Sequence, residues 1–156
     1  MGDQELEAGT TQEALEKKEA SYSVDAYLGK DVPFVYRNMI LSKWMRSLKF
    51  GNDYFRLIDS DSYYSTYQHY IKALLERPQC IVRLALLPGD ELHTCLGFSV
   101  SEPGVLHFVW SHKDNRRIGI AKSLIQFPFD TITHLTTSGM AVWHKKFPHA
   151  KFNPFK

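Results

Sequence analysis

A chain of 156 residues, 44% hydrophobic and 23% charged, has the make-up of one globular domain with a substantial core. Its net charge of +2 excludes a strongly basic nucleic-acid binder, and no apolar run approaches the ~20 residues of a membrane span. The charge is uneven: Asp3, Glu5, Glu7, Glu13, Glu16 and Glu19 meet only Lys17 and Lys18 within residues 1–20, which carry −4 and leave about +6 for the rest. That balance suits an anionic ligand such as a phosphate-bearing cofactor.

Residues 1–30 read as an acidic extension, flexible or ordered by a protein partner, and they lack the apolar core of a secretion signal. The compact part is expected over 31–156. VPFVYR reads as a first strand, and ILSKWMRSL (40–48) as a short helix with Ile40, Leu41, Trp44 and Leu48 on one side. A second helix follows, with Ser60, Asp61 and Ser62 as candidate caps, a stripe of Tyr63, Tyr67, Tyr70, Ile71 and Leu74, and Pro78 as its end. The stripe reads as core and rim rather than as a substrate groove.

Cys80–Leu87, Thr94–Val100 and Val105–Ser111 are strand-like runs punctuated by Pro-Gly-Asp and Glu-Pro-Gly, an antiparallel meander. Its register sets Cys80 near residue 100 and Cys95 near residue 85, so a disulfide is not expected and a cytoplasmic setting fits. Ile118–Phe127 reads as a helix stopped by Pro128, TITHLT (131–136) as a strand, GMAVWHKKF as a helix, and AKFNPF as a final edge strand. The fold class is therefore α/β (α+β): a single domain with a mixed, mostly antiparallel central sheet flanked by helices. Lys145, Lys146, His149 and Lys151 make a basic patch that reads as a solvated face. No metal spacing and no Gly-x-Ser-x-Gly elbow occurs.

A strand that runs into a glycine-containing turn opening a helix suits a phosphate. The first helical amides have no intrahelical partner, and the dipole there favours an anion. Neither a GxGxxG fingerprint nor a Walker loop is present. The segment Arg116-Arg117-Ile118-Gly119-Ile120-Ala121 instead resembles the R/Q-x-x-G-x-G/A signature of the GNAT superfamily of acetyl-CoA-dependent N-acetyltransferases, and the order of elements resembles that fold. The arrangement and the ending FNPF also resemble small GNAT-like proteins encoded by bacteriophages, which offers an alternative reading as a non-catalytic virion or interaction protein.

The resemblance implies that Arg116, Arg117, Ile118, Gly119, Ile120 and Ala121 hold the pyrophosphate of acetyl-CoA. It also implies that the strand residues Phe108, Val109, Trp110 and Ser111 position the thioester, with the Trp110 amide central. The acceptor is an unidentified primary amine. Glu102, His107, His112 and His134 are the available bases, and His134 is the best placed, at the strand flanking the cleft; His107 reads instead as a packed or hydrogen-bonded strand histidine. The tyrosine that many members of that superfamily use as general acid has no counterpart, because no tyrosine follows Tyr70. His144, Ser138 or a water would take its place.

Overall fold

The computed structural model describes residues 22–89, 93–115 and 119–156. Six strands form one sheet in chain order: β1 (Ser23–Leu28), β2 (Ile81–Leu87), β3 (Thr94–Glu102), β4 (Gly104–Ser111), β5 (Phe129–Ile132) and β6 (Lys151–Phe152). The first three pairings are antiparallel, and β4–β5 and β5–β6 are parallel. Among the described residues, five α-helices flank it: α1 (Phe34–Gly51), α2 (Asp53–Arg56), α3 (Ser60–Leu75), α4 (Ile120–Leu124) and α5 (Thr137–Lys146). The mixed α/β class and the single domain are as the sequence indicates.

The first strand lies earlier than expected. Residues 23–28 pair along their length with β2, from Ser23 opposite Leu86 to Leu28 opposite Ile81, so the fold reaches back into the segment read as an extension. Val24, Ala26 and Leu28 of this edge strand are exposed, whereas Asp25 and Tyr27 are half-buried. The apolar positions thus face away from the core, which hides the strand from a reading based on burial. Residues 1–21 lie outside those described.

VPFVYR is not a strand. Pro33 sits at the cap of α1, its fixed φ ready for a helix start. The buried stripe Ile40, Leu41, Trp44 and Leu48 then carries eighteen residues as one helix against the sheet. The cap of α3 is Asp59, whose carboxylate accepts from the Ser62 amide at 3.0 Å, rather than Ser60, Asp61 or Ser62.

The main core lies between α1, α3 and one face of the sheet: Trp44, Ile71, Leu75, Leu84, Phe98, Val100 and Phe108 are essentially excluded from water. On the other face α4 rests on β2, β3 and β4 through Ile120 and Leu124. Gly97 permits that close approach. A Cβ there would meet the Trp110 carbonyl oxygen at 2.7 Å, with Ile120 and Leu124 methyls at 3.1 Å. A third cluster, Leu106, Phe129, Ile132 and Ala150, joins β4 to β5 and α5. Lys49 of α1 is buried as well, its ammonium donating to the carbonyls of Ile58 at 2.6 Å and Phe55 at 3.3 Å.

Among the described residues, the helix expected over 118–127 spans Ile120–Leu124. Ile125 turns extended, and the residue before Pro128 is in any case disfavoured as helix. The strand expected over 131–136 stops at Ile132, after Phe129 and Asp130 have extended it at the other end. Both cysteines are free, Cys80 buried and Cys95 opposite Leu86. Among the described residues, no helix is long and apolar enough to cross a membrane.

Candidate active site

Parallel strands β4 and β5 stay together only at one end. Gly104 pairs with Phe129, Val105 with Thr131 and Leu106 with Ile132; the Thr133 amide then donates to the Leu106 carbonyl at 3.2 Å, and pairing ends. Phe108–Ser111 continue along β3 with no strand partner on the other side among the described residues. The divergence opens a cleft of about 910 Å³ between β4, β5, α1 and α5. A β-bulge marks its start: Val100 faces Phe108 and Ser101 faces Leu106, so His107 is the extra residue in β4. Such a bulge bends its strand and increases its twist.

The gap leaves main-chain donors unpaired. The His112 amide donates to Leu96 in β3 at 2.8 Å. Hydrogen-bonded pairs alternate along an antiparallel ladder, so Trp110 and Phe108 also turn their amides to β3, and those of Val109 and Ser111 turn to the gap. This corrects the expectation for Trp110, whose donor is used within the sheet. Its side chain lies half-buried against Phe98, ring centroids 5.7 Å apart, with the Lys43 ammonium 5.4 Å from its centroid.

Charge and polarity in the cleft run one way. Lys43 and Arg46 from α1 and Lys113 after β4 line it, and among the described residues no carboxylate does. Its walls are apolar: Leu106, Phe108, Ile125, Ile132, Val142 and Trp143. Ala121 of α4 lines it too. Gly119 precedes that helix in the left-handed region, φ 82°, where only glycine is relaxed, and a Cβ there would meet nothing within 4 Å. Arg116, Arg117 and Ile118 lie outside the described residues. An elongated ligand with an anionic head and an apolar arm fits such a lining.

His134, just past the end of β5, is 8% exposed and lines the cleft. Trp44 and Tyr67 meet its ring edge-on at 5.3 and 6.0 Å, and Tyr70 lies 5.5 Å away. Trp44 is itself stacked on Phe108 at 4.8 Å. Desolvation in this aromatic cage, helped by the neighbouring His107, lowers the His134 pKa to about 4.

Behind His134 runs a line of polar contacts. His134 Nδ1 lies 2.7 Å from Thr133 Oγ1, which is 2.9 Å from His107 Nδ1; His107 Nε2 is 2.9 Å from Glu102 Oε2. Arg77 donates to the same carboxylate oxygen at 3.2 Å. His107 is fully buried, and desolvation lowers its pKa despite the opposing effect of Glu102.

The expected site residues are therefore divided. Phe108, Val109, Trp110, Ser111, Ala121 and His134 line one cleft, with His112 and Ser138. Ile120 is buried beneath α4. Glu102 reaches the cleft only through His107, so it is no direct base there. His144 is exposed beside Trp143 and does not line the cleft, which leaves Ser138 as the α5 hydroxyl in it. Sequence reading missed Lys43, Arg46, Thr133 and Arg77. A lysine and an arginine three residues apart, at 43 and 46 around Trp44, were the one available signal for the first two. Comparison of the chain with family models, with curated proteins and with solved structures finds no match.

Proposed function

We propose that the chain is an N-acetyltransferase of the GNAT type, moving an acyl group from acetyl-CoA to a primary amine. The observation that carries the reading is the divergence of β4 from β5. It gives a basic, largely apolar cleft with, among the described residues, no carboxylate in its lining and two gap-facing amides on its wall. The resemblance of Arg116–Ala121 to the GNAT signature supports the same reading, and Ala121 lines the cleft.

Acetyl-CoA supplies an acyl thioester. Lys43, Arg46 and Lys113, together with Arg116 and Arg117, complement its phosphates, and the opening amides of α4 after Gly119 add donors. Leu106, Ile125 and Val142 cover the pantetheine arm. The amide of Val109 or Ser111 donates to the acyl oxygen, where charge develops as the amine attacks, and a preformed donor there lowers the barrier. His134 Nε2 takes the ammonium proton, and the Ser138 hydroxyl or water protonates the departing thiolate.

Calorimetric titration with acetyl-CoA and coenzyme A tests the reading, with Gly119→Glu as the variant that sets a carboxylate where the phosphates bind. Binding by the parent chain and at least tenfold weaker binding by the variant are expected. No heat and no thermal shift at millimolar ligand would remove the assignment and leave the non-catalytic alternative.

A further inference from the structure

We infer that Glu102, His107, Thr133 and His134 form one directed chain of hydrogen bonds that holds His134 as its Nδ1–H tautomer, presents a bare Nε2 to the cleft, and passes a proton taken there back to Glu102. This rests on the acyl-transfer reading only for the origin of the proton.

The direction follows from the chemistry of the ends. An ionised carboxylate only accepts, so His107 donates from Nε2 to Glu102 across 2.9 Å. A neutral imidazole with its proton on Nε2 has an acceptor at Nδ1, so the Thr133 hydroxyl donates to it, also across 2.9 Å. The competing acceptor for that hydroxyl, the His107 carbonyl, is 3.4 Å away. Thr133 Oγ1 then has only lone pairs left, and His134 donates to it from Nδ1 across 2.7 Å. The remaining nitrogen, Nε2, has no hydrogen-bond partner among the described residues, and the ring lines the cleft. Burial favours both imidazoles neutral, as this pattern requires.

When Nε2 binds a proton from an ammonium group, Nδ1–H passes its own to Thr133 Oγ1. The threonine proton moves to His107 Nδ1, and the His107 Nε2 proton moves to Glu102. His134, Thr133 and His107 each end with the number of protons they began with, the two imidazoles with their tautomers reversed; the amine has lost one proton and Glu102 has gained one. The chain resets when the same steps run in reverse: Glu102, beside Arg77, returns the proton to His107 Nε2, and His134 Nε2–H releases one to the water that protonates the departing thiolate. His134 alone, facing Trp44 from α1 and Tyr67 and Tyr70 from α3, with Lys43 and Arg46 lining the same cavity, would hold an imidazolium poorly. The relay removes the need to hold one. His134 is the catalytic residue in this scheme, and Thr133, His107 and Glu102 are positioning residues.

Thr133→Val removes the hydroxyl at nearly constant shape, and Thr133→Ser restores it. Two-bond proton–nitrogen correlations on ¹⁵N-histidine protein at pH 7 read the tautomers without any ligand. The parent and the serine variant should show His134 protonated at Nδ1, and the valine variant should move that proton to Nε2. With acetyl-CoA and an amine acceptor, the valine variant should lose about 10–100-fold in kcat with KM for acetyl-CoA unchanged, and serine should recover most of it. A parent His134 protonated at Nε2, or a valine variant matching the parent in tautomer, would overturn the relay. The expected tautomers without any acetyl transfer would keep the chain of bonds and remove the acyl-transfer reading instead.

Discussion

Lowering the pH from 7 to 4 should unfold this protein partly through one side chain, His134. In the folded chain its pKa is about 4, because charging it would place an imidazolium among Trp44, Tyr67 and Tyr70; unfolded, it returns to 6.5. Above pH 6.5 neither state binds the proton and the group contributes no pH dependence. As the pH falls through 6.5 the unfolded chain is protonated first and stability drops, by up to about 1.4 kcal/mol for each pH unit. The loss levels off once the folded state also protonates near pH 4, at about 3 kcal/mol in all. Against a typical stability of about 5–15 kcal/mol, that is a large share. Denaturant titrations at pH 7, 5.5 and 4 on the parent and on His134→Gln measure it, since His107 and the carboxylates contribute to both. The parent should lose about 3 kcal/mol more than the variant between the first and last pH. Parallel curves would show that His134 is solvated and would refute the cage argument.

Proline at 109 or 111 deletes one gap-facing donor without costing the β3 ladder a hydrogen bond. At the position that holds the acyl oxygen, kcat should fall about 100–1,000-fold while the circular-dichroism spectrum is retained; full rates in both variants would place the acyl oxygen elsewhere. Gly97→Ala forces a methyl against the Trp110 carbonyl oxygen and α4, and should lower the unfolding free energy by about 1–3 kcal/mol while weakening coenzyme A binding in calorimetry. Lys49→Met leaves the Ile58 carbonyl without its 2.6 Å donor, and urea unfolding should register a loss of about 1–3 kcal/mol.

The meander from Cys80 to Ser111 was legible because Pro-Gly and Pro-Gly turns punctuate long apolar runs, and burial on both faces of β3 keeps those runs continuous. β1 was illegible for the opposite reason. Among the described residues its Val24 and Leu28 are exposed on the face that carries α4, five residues long, so the strand is held by its ladder to β2 more than by burial of its apolar side chains. VPFVYR misled because local β-propensity was set against a helix whose determinants, Ile40 through Leu48, lie further along the chain. In the candidate site, His134 could be named from its place beside the diverging strand. Thr133 and the amides of Val109 and Ser111 could not, because their roles depend on register.

That register traces to the residue inserted at His107. Without it, β4 would continue in ordinary alternation and β5 would meet a regular partner edge. With it, β4 bends where Leu106 and Ile132 make the last strand-to-strand pair, and the cleft begins there. The inserted residue is also the histidine that bridges Glu102 to Thr133, and the next residue, Phe108, carries the Trp44 ring that cages His134. Opening the cleft and wiring the proposed base are therefore consequences of the same irregularity. A strand-regularising deletion of His107 should close the gap and sever the relay together, whereas Thr133→Val should sever the relay alone and leave coenzyme A binding intact.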